Sequence, residues 1–427
     1  MSDSQKSLGG GTLWDDLQRL IVDARTALAG LPKWEKPFHI FWLLGPFILL
    51  IERSPADAWL SVLALAFAVR SLCQRDGAWL SHMWVRAAFI FWFVCLLSAS
   101  LSIAPNYALG EAMFWFRFPL FAMATVFWLG RDKRLIYAMI LSTFLGMILM
   151  SGILVSEVLL DGFKDGRLTW PYGDAVPGNY LAKATMPAFL VCVALAARCD
   201  KKFIALMAVA IISATLAVSI FAGERMNLIL RIFSGGLAFL LNIKRMFNLI
   251  LMMLVLSFSV TLVISVSPDV YRLASQFLQR IPLTTDSDYF NLYYGAWSIF
   301  TDNVFLGIGT ANYRELCPQL TTELATFRCD NHPHNYYIQL LTETGVLGFV
   351  SGMFMIASIV ITLVRASCAN NQNIFVATAY IVPLGLFFPL QSTADFFGQW
   401  NNIFLWSAVA LSMAAVNLRA EPSASQK

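Results

Sequence analysis

The sequence predicts an all-α fold, a polytopic membrane helical bundle of about 12 transmembrane helices with a helical periplasmic loop between spans 9 and 10. Three observations predict it. Of 427 residues, 58% are hydrophobic and 13% charged, about half the charged share of a soluble domain. Apolar runs long enough to cross a hydrocarbon core recur from residue 37 to residue 417. The short loops between them alternate between basic and non-basic. In lipid every backbone N–H and C=O must be satisfied within the protein, so such runs are helices. The shorter, period-two segments of a membrane barrel do not occur.

Taken in order, the runs predict spans at 37–52, 55–72, 80–103, 108–129, 134–158, 179–198, 203–221, 226–242, 246–266, 336–364, 374–391 and 400–417. With the N-terminus in the cytoplasm, one set of loops holds Arg70 and Arg75; Arg131, Lys133 and Arg134; Arg198, Lys201 and Lys202; Lys244 and Arg245; Arg365; and Arg419. The other set holds only Arg53, Lys164, Arg167 and Arg225 in its short loops. This is the distribution the positive-inside rule requires, with both termini inside. The first long run begins near Phe38 behind Asp15, Asp16 and Asp23, so it reads as a retained span rather than a secretory signal. The organisation expected is a cytoplasmic segment 1–36, spans 1–9 over 37–266, a periplasmic loop 267–335, spans 10–12 over 336–417, and a cytoplasmic tail 418–427.

Within the first segment, Leu13, Leu17, Leu20, Ile21 and Ala24 recur at helical spacing, which predicts an amphipathic helix on the membrane surface. The loop 267–335 is too long to be a mere connection. Ser267 and Pro268 open a helix, and Val270, Leu273, Ala274, Phe277, Leu278 and Ile281 share its apolar face. A further helix is predicted from Asp288 to Asp302, broken off by Gly307 and Gly309. Of seven cysteines, Cys317 and Cys329 are the two in this loop. In an oxidising compartment a disulfide between them is expected, two free thiols being the alternative.

His332 and His334 sit where that loop meets the tenth span. An imidazole at a helix N-terminus and a membrane boundary suits general-base work, or it simply caps the helix. Asp286 and Asp288 form an acidic pair that could bind a divalent cation, or Asp288 could merely cap a helix; no metal and no other cofactor is expected. Ionisable groups within spans are costly, and Glu111, Arg117, Lys183, Arg225, Arg231 and Glu343 are of this kind, whereas Arg86 can snorkel. Two readings stand for them: cations that hold a lipid phosphate, or structural ion pairs such as Glu111 or Glu343 with an arginine. The net charge of +4 identifies no partner. Membrane lipids are expected partners and nucleic acid is not.

The string HPHNYYIQLLTETGVLG resembles the histidine–asparagine motif and following Glu-x-Gly of the O-antigen ligase family, within the superfamily that includes O-antigen polymerases and some O-linked oligosaccharyltransferases. AWSIFTDNVFLGIGTANY is similar to that family's Trp-containing helix and Gly-x-Gly turn. GDAVPGNYLAKATMPAF resembles the segment entering its sixth span, and AGER ends at Arg225 where the family carries an arginine. The resemblance covers roughly residues 80–415. Two features depart from it. The family's second arginine before Trp297 is missing from DYFNLYYGAW, leaving Arg280, Arg272 or Arg314 to substitute, and Val304 stands where a proline is usual.

The resemblance implies a glycosyltransferase of lipopolysaccharide biosynthesis in the bacterial inner membrane. A glycan on undecaprenyl pyrophosphate would pass to a sugar hydroxyl of lipid A–core at the periplasmic face, without metal and with inversion. His334 would be the base; Arg225, Arg280, Lys183 and Arg167 would hold the donor pyrophosphate; His332, Asn335, Glu343 and Arg117 would support them. O-antigen polymerase is the nearest alternative, and a lipid-linked glycan flippase the alternative of another class. A transporter would show paired repeats with broken helices near mid-bilayer, and no such pairing is visible. The topology is open to test: a reporter active only in the periplasm should work when fused after residue 285 and fail after residue 200 or 368, and an inactive fusion at 285 would overturn the assignment of the histidines to that face.

Overall fold

The computed structural model describes residues 13–162, 167–173, 177–223, 225–244, 288–320, 330–391 and 393–418, with scattered positions between 250 and 261. The described residues form helices and no strand. In chain order the helices are α1 (Leu13–Ala29), α2 (Lys36–Leu43), α3 (Gly45–Ile48), α4 (Arg53–Gln74), α5 (Met83–Ser100), α6 (Pro105–Trp115), α7 (Arg117–Ala124) and α8 (Lys133–Leu160). There follow α9 (Pro177–Ala184), α10 (Met186–Arg198), α11 (Lys202–Phe221), α12 (Arg225–Asn242), α13 (Asp288–Asp302) and α14 (Tyr313–Leu320). The last four are α15 (Tyr336–Ala369), α16 (Ile374–Ala379), α17 (Ile381–Leu386) and α18 (Gln399–Met413).

Among the described residues, seven stretches are long and apolar enough to cross a membrane: α4, α5, Pro105–Leu129, α8, α11, α15 and Gln399–Leu418. α9 and α10 meet at a 58° bend and together make an eighth. α12 and the pair α16–α17 are shorter apolar helices. The outer surface of the bundle carries large apolar side chains in the open, among them Leu65, Phe93, Phe114, Phe203 and Val350. Such a surface is unfavourable in water and natural in lipid.

The expected spans at 55–72, 80–103, 108–129, 134–158, 203–221, 336–364 and 400–417 each coincide with one of the seven. The expected span at 37–52 does not: it is the pair α2 and α3, neither long enough to cross. Pro46 lacks the N–H that would continue the helix through Gly45. The Trp59 ring of α4 occupies the place a Gly45 side chain would need, so the break is packed rather than loose. Most of the expected span 246–266 and the expected helix beginning at Ser267 lie outside the described residues.

The helix α15 sets the position of everything at one end of the bundle. Asn335 caps it, its Oδ1 accepting from the Tyr337 and Ile338 N–H groups at 3.0 and 3.2 Å. Gly345 then breaks it, with φ 63° and ψ −169°, a conformation that essentially only glycine adopts. The break orphans backbone groups on either side of it, and the turn after α13 meets them. Ile308 and Gly309 donate to the carbonyls of Thr342 and Glu343 at 3.1 and 2.9 Å, while Val346 and Leu347 donate to those of Val304 and Phe305 at 2.8 and 3.3 Å. Ser98 of α5 lies 2.6 Å from the Leu306 carbonyl and 3.0 Å from that of Glu343, closing the seam from the third side.

At Gly307 and at Gly345 a Cβ would overlap the backbone across the seam. Gly345→Ala should therefore lower stability by about 2 kcal/mol or more, strain and clash acting together. Gly152→Ala, on an open helical face of α8, should change it by less than about 1 kcal/mol. Apparent melting temperatures of the two purified variants in one detergent check this, and equal melting would remove the seam from its structural role.

Candidate active site

Three segments distant in sequence meet at the start of α15: residues 330–343, the turn 303–313, and residues 391–401. A chain of buried polar groups ties them. The Glu343 carboxylate, 1% exposed, accepts from the backbone N–H of Ala311 at 3.1 Å and of Tyr313 at 3.2 Å. Its oxygens thus cap the start of α14. Its third partner is Gln339 Nε2 at 3.1 Å, so Glu343 is held by backbone and amide groups and not by an arginine.

Gln339 is fully buried, and both ends of its amide are hydrogen-bonded. Its amide nitrogen also donates to Asp395 Oδ1 at 2.7 Å, and its Oε1 accepts the Phe396 N–H at 2.8 Å. A neutral amide therefore bridges the two carboxyl groups. Asp395 Oδ2 accepts from Arg314 at 2.7 Å. Asn401, from α18, accepts from Lys183 Nζ at 2.5 Å and donates to the Tyr336 hydroxyl at 2.7 Å and the Asp395 carbonyl at 3.1 Å. Buried polar groups in lipid persist only when satisfied in this way.

His334 occupies the left-handed region, with φ 53°. Its backbone carbonyl accepts from Thr393 N at 2.8 Å. Its Nδ1 lies 3.1 Å from the Thr393 carbonyl and its Nε2 3.0 Å from Asp330 Oδ2. Carbonyl and carboxylate are both acceptors, so the two contacts are made together only by the doubly protonated ring. The neutral ring keeps one proton, and the backbone carbonyl is the fixed one of its two partners. Tyr289 of α13 packs edge-on against this ring. His332 Nε2 reaches the same Thr393 carbonyl at 3.3 Å, and the two imidazole centroids lie 4.2 Å apart. Burial, reinforced by His334, lowers the His332 pKa below the ordinary imidazole value. For Asp330, burial works toward a higher pKa, but the hydrogen bonds from His334 and from Asn331 N–H hold it below the usual carboxylate range.

The residues expected at the site are distributed unevenly. His332, His334, Asn335, Glu343 and Lys183 come together around the start of α15. Arg117 does not: its guanidinium pairs with Asp57 of α4 at 3.0 Å, steadying the bend between α6 and α7. Arg231 is fully buried elsewhere, on Ser219 at 2.7 Å and over the Phe189 ring. Arg167 is exposed in the loop after α8. Arg225 opens α12, but its side chain lies outside the described part of the structure, as do the Asp288 side chain and all of Asp286, Arg272, Arg280 and Cys329. Cys317 is buried and disulfide-bonded. Among the described residues no three His, Cys, Asp or Glu side chains gather as a metal-ligand group.

Sequence reasoning missed Asp330, Gln339, Asp395 and Asn401. Asp395 and Asn401 were visible as polar residues interrupting apolar sequence, but both fall at or near a span boundary, where polar residues are ordinary. Arg314 was one of three candidates for the missing arginine, and it is the one the described structure brings to the Asp395 carboxylate.

No curated protein matches the chain. The family model described as O-antigen ligase matches residues 184–353, a stretch running from the end of α9 past the break in α15. It includes the turn 303–313, both histidines and Glu343, and stops short of Thr393, Asp395 and Asn401. Over residues 184–353 the chain matches the O-antigen ligase family, and the match supports a membrane glycosyl transfer of the ligase or polymerase type.

Proposed function

We propose that this protein ligates a glycan from undecaprenyl pyrophosphate onto a lipid A–core hydroxyl at the periplasmic face of the bacterial inner membrane. The observation that carries this reading is the setting of His334, a strained imidazole held by a backbone carbonyl and a carboxylate at the end of a lipid-facing bundle. In the reactive form Nδ1–H stays on the Thr393 carbonyl and Nε2 presents its lone pair. Asp330 Oδ2, 3.0 Å from Nε2, marks the distance at which an acceptor hydroxyl oxygen would sit once the carboxylate moves aside.

The acceptor oxygen attacks the anomeric carbon, the bond from that carbon to the pyrophosphate oxygen breaks, and the hydroxyl proton passes to Nε2. Undecaprenyl pyrophosphate leaves with the electron pair, and the anomeric configuration inverts. Asp330 then pairs with the imidazolium. Cations neutralise the leaving charge: Lys183 and Arg225 by this reading, with Arg314 the substitute for the arginine the family carries before Trp297. Lateral openings between helices would admit the two lipids.

The test is purified enzyme with lipid-linked donor and lipid A–core, scored for joined product. His334→Ala at matched abundance should lose transfer by about 10²–10⁴-fold, the range of a general base, and Asp330→Asn should lose less. Near-normal transfer by His334→Ala would remove the base assignment. Donor chains lengthened on the carrier, with nothing joined to lipid A–core, would make the protein a polymerase. Transfer should also survive excess EDTA; loss with rescue by magnesium would instead make Asp286 and Asp288 metal ligands.

A further inference from the structure

At the end of the bundle opposite the histidines, α10, α12 and α15 terminate around a cleft of about 190 Å3. The separation is large: α15 starts at the histidines and runs 34 residues, on the order of 50 Å at the helical rise. Arg198, Asn242, Lys244, Asn371 and Gln372 line the cleft beside Leu241, and no acidic side chain does.

Two polar atoms here are buried without a hydrogen-bond partner among the described residues. One is a donor, Arg198 Nε, on a guanidinium fixed by its 2.7 Å bond from Nη1 to the Asn371 carbonyl. The other is an acceptor, Asn242 Oδ1, on a side chain 4% exposed and fixed by Nδ2 donating to the Ala238 carbonyl at 2.6 Å. Orphaned groups of opposite sense in one cleft ask for a ligand that both accepts and donates. The charges ask the same. Arg198 and Lys244 attract an anion, whereas three helix C-termini carry partial negative charge and attract a cation. Leu241 stands beside them with its side chain exposed.

We propose that this cleft binds the phosphoethanolamine headgroup of a membrane phospholipid. The phosphate lies on Arg198 Nε and Lys244, the ammonium lies on Asn242 Oδ1 and the helix C-terminal carbonyls, and an acyl chain runs along Leu241. A free phosphate shares the first interaction only. A phosphodiester lipid without an amine shares the first and the last.

The test uses the full chain, purified and delipidated, titrated by native mass spectrometry. The probes are dioleoyl phosphatidylethanolamine, dioleoyl phosphatidylglycerol, glycerophosphoethanolamine and inorganic phosphate. The ethanolamine lipid should bind saturably and about tenfold or more tightly than the glycerol lipid, as the ammonium's charge-assisted hydrogen bond requires. Arg198→Gln and Asn242→Leu should each weaken it by about tenfold, while Arg86→Gln, in the first turn of α5, should leave it unchanged. Lys244→Gln, at an exposed position, should weaken it in the same direction. Equal binding of the two lipids would overturn the headgroup assignment. Comparable binding of glycerophosphoethanolamine or phosphate would overturn the lipid. Unaltered binding in Lys244→Gln and Arg198→Gln would overturn the site.

Discussion

The break at Gly345 is the constraint on which the histidine end of this bundle depends. A continuous helix would satisfy its own backbone and leave the turn 303–309 nothing to pair with. By interrupting α15, Gly345 exposes two carbonyls and two N–H groups in a region without water, where each must find a partner. The turn supplies all four, and α5 seals the seam through Ser98. The rest follows by geometry. Once Gly309 lies against Glu343, the start of α14 comes within reach of the Glu343 carboxylate. Glu343 then holds Gln339, Gln339 holds Asp395, and the segment carrying Asp395 also carries Thr393, the carbonyl on which both histidines rest.

The parts of this arrangement that were legible in the sequence are those written in periodicity and backbone chemistry. Long apolar runs gave seven described helices of spanning length, Asp288–Asp302 gave its helix residue for residue, and Gly307 and Gly309 announced the turn. The string from His332 onward announced a helix start. What was not legible is pairing across distance. Nothing in the spacing of Val304–Gly309 says that it docks into a gap in another helix, because a seam of backbone hydrogen bonds needs no particular side chain. Gly345 sits in the quoted string, but a single glycine inside an apolar helix is common and carries no sign of a break.

The run at 37–52 is instructive for the opposite reason. Its length and hydropathy are those of a span, and only Gly45 and Pro46 dissent. Hydropathy is summed over a window, whereas a helix is stopped by one residue, so the sum prevails in a sequence reading and the single residue in the fold. Arg117 shows a similar limit. An intramembrane arginine is a functional candidate by default, yet Asp57, sixty positions away in another helix, had no sequence signature linking it to Arg117.

Strain shows where the packing is most demanding. Three non-glycine residues of the described chain have positive φ: Arg75, Ala311 and His334. Arg75 terminates α4, an ordinary place for the left-handed conformation. The other two flank the same polar chain. Each costs on the order of 1–2 kcal/mol, and each is held by that chain: Ala311 through its N–H on Glu343, His334 through its carbonyl on Thr393 N–H. A relaxed His334 would turn its ring away from Thr393 and Asp330 together. The buried carboxylates, amide and capped helices are therefore a frame whose stability is drawn on to fix one imidazole. In lipid polar burial is otherwise avoided, and its concentration sets this end apart from the rest of the bundle.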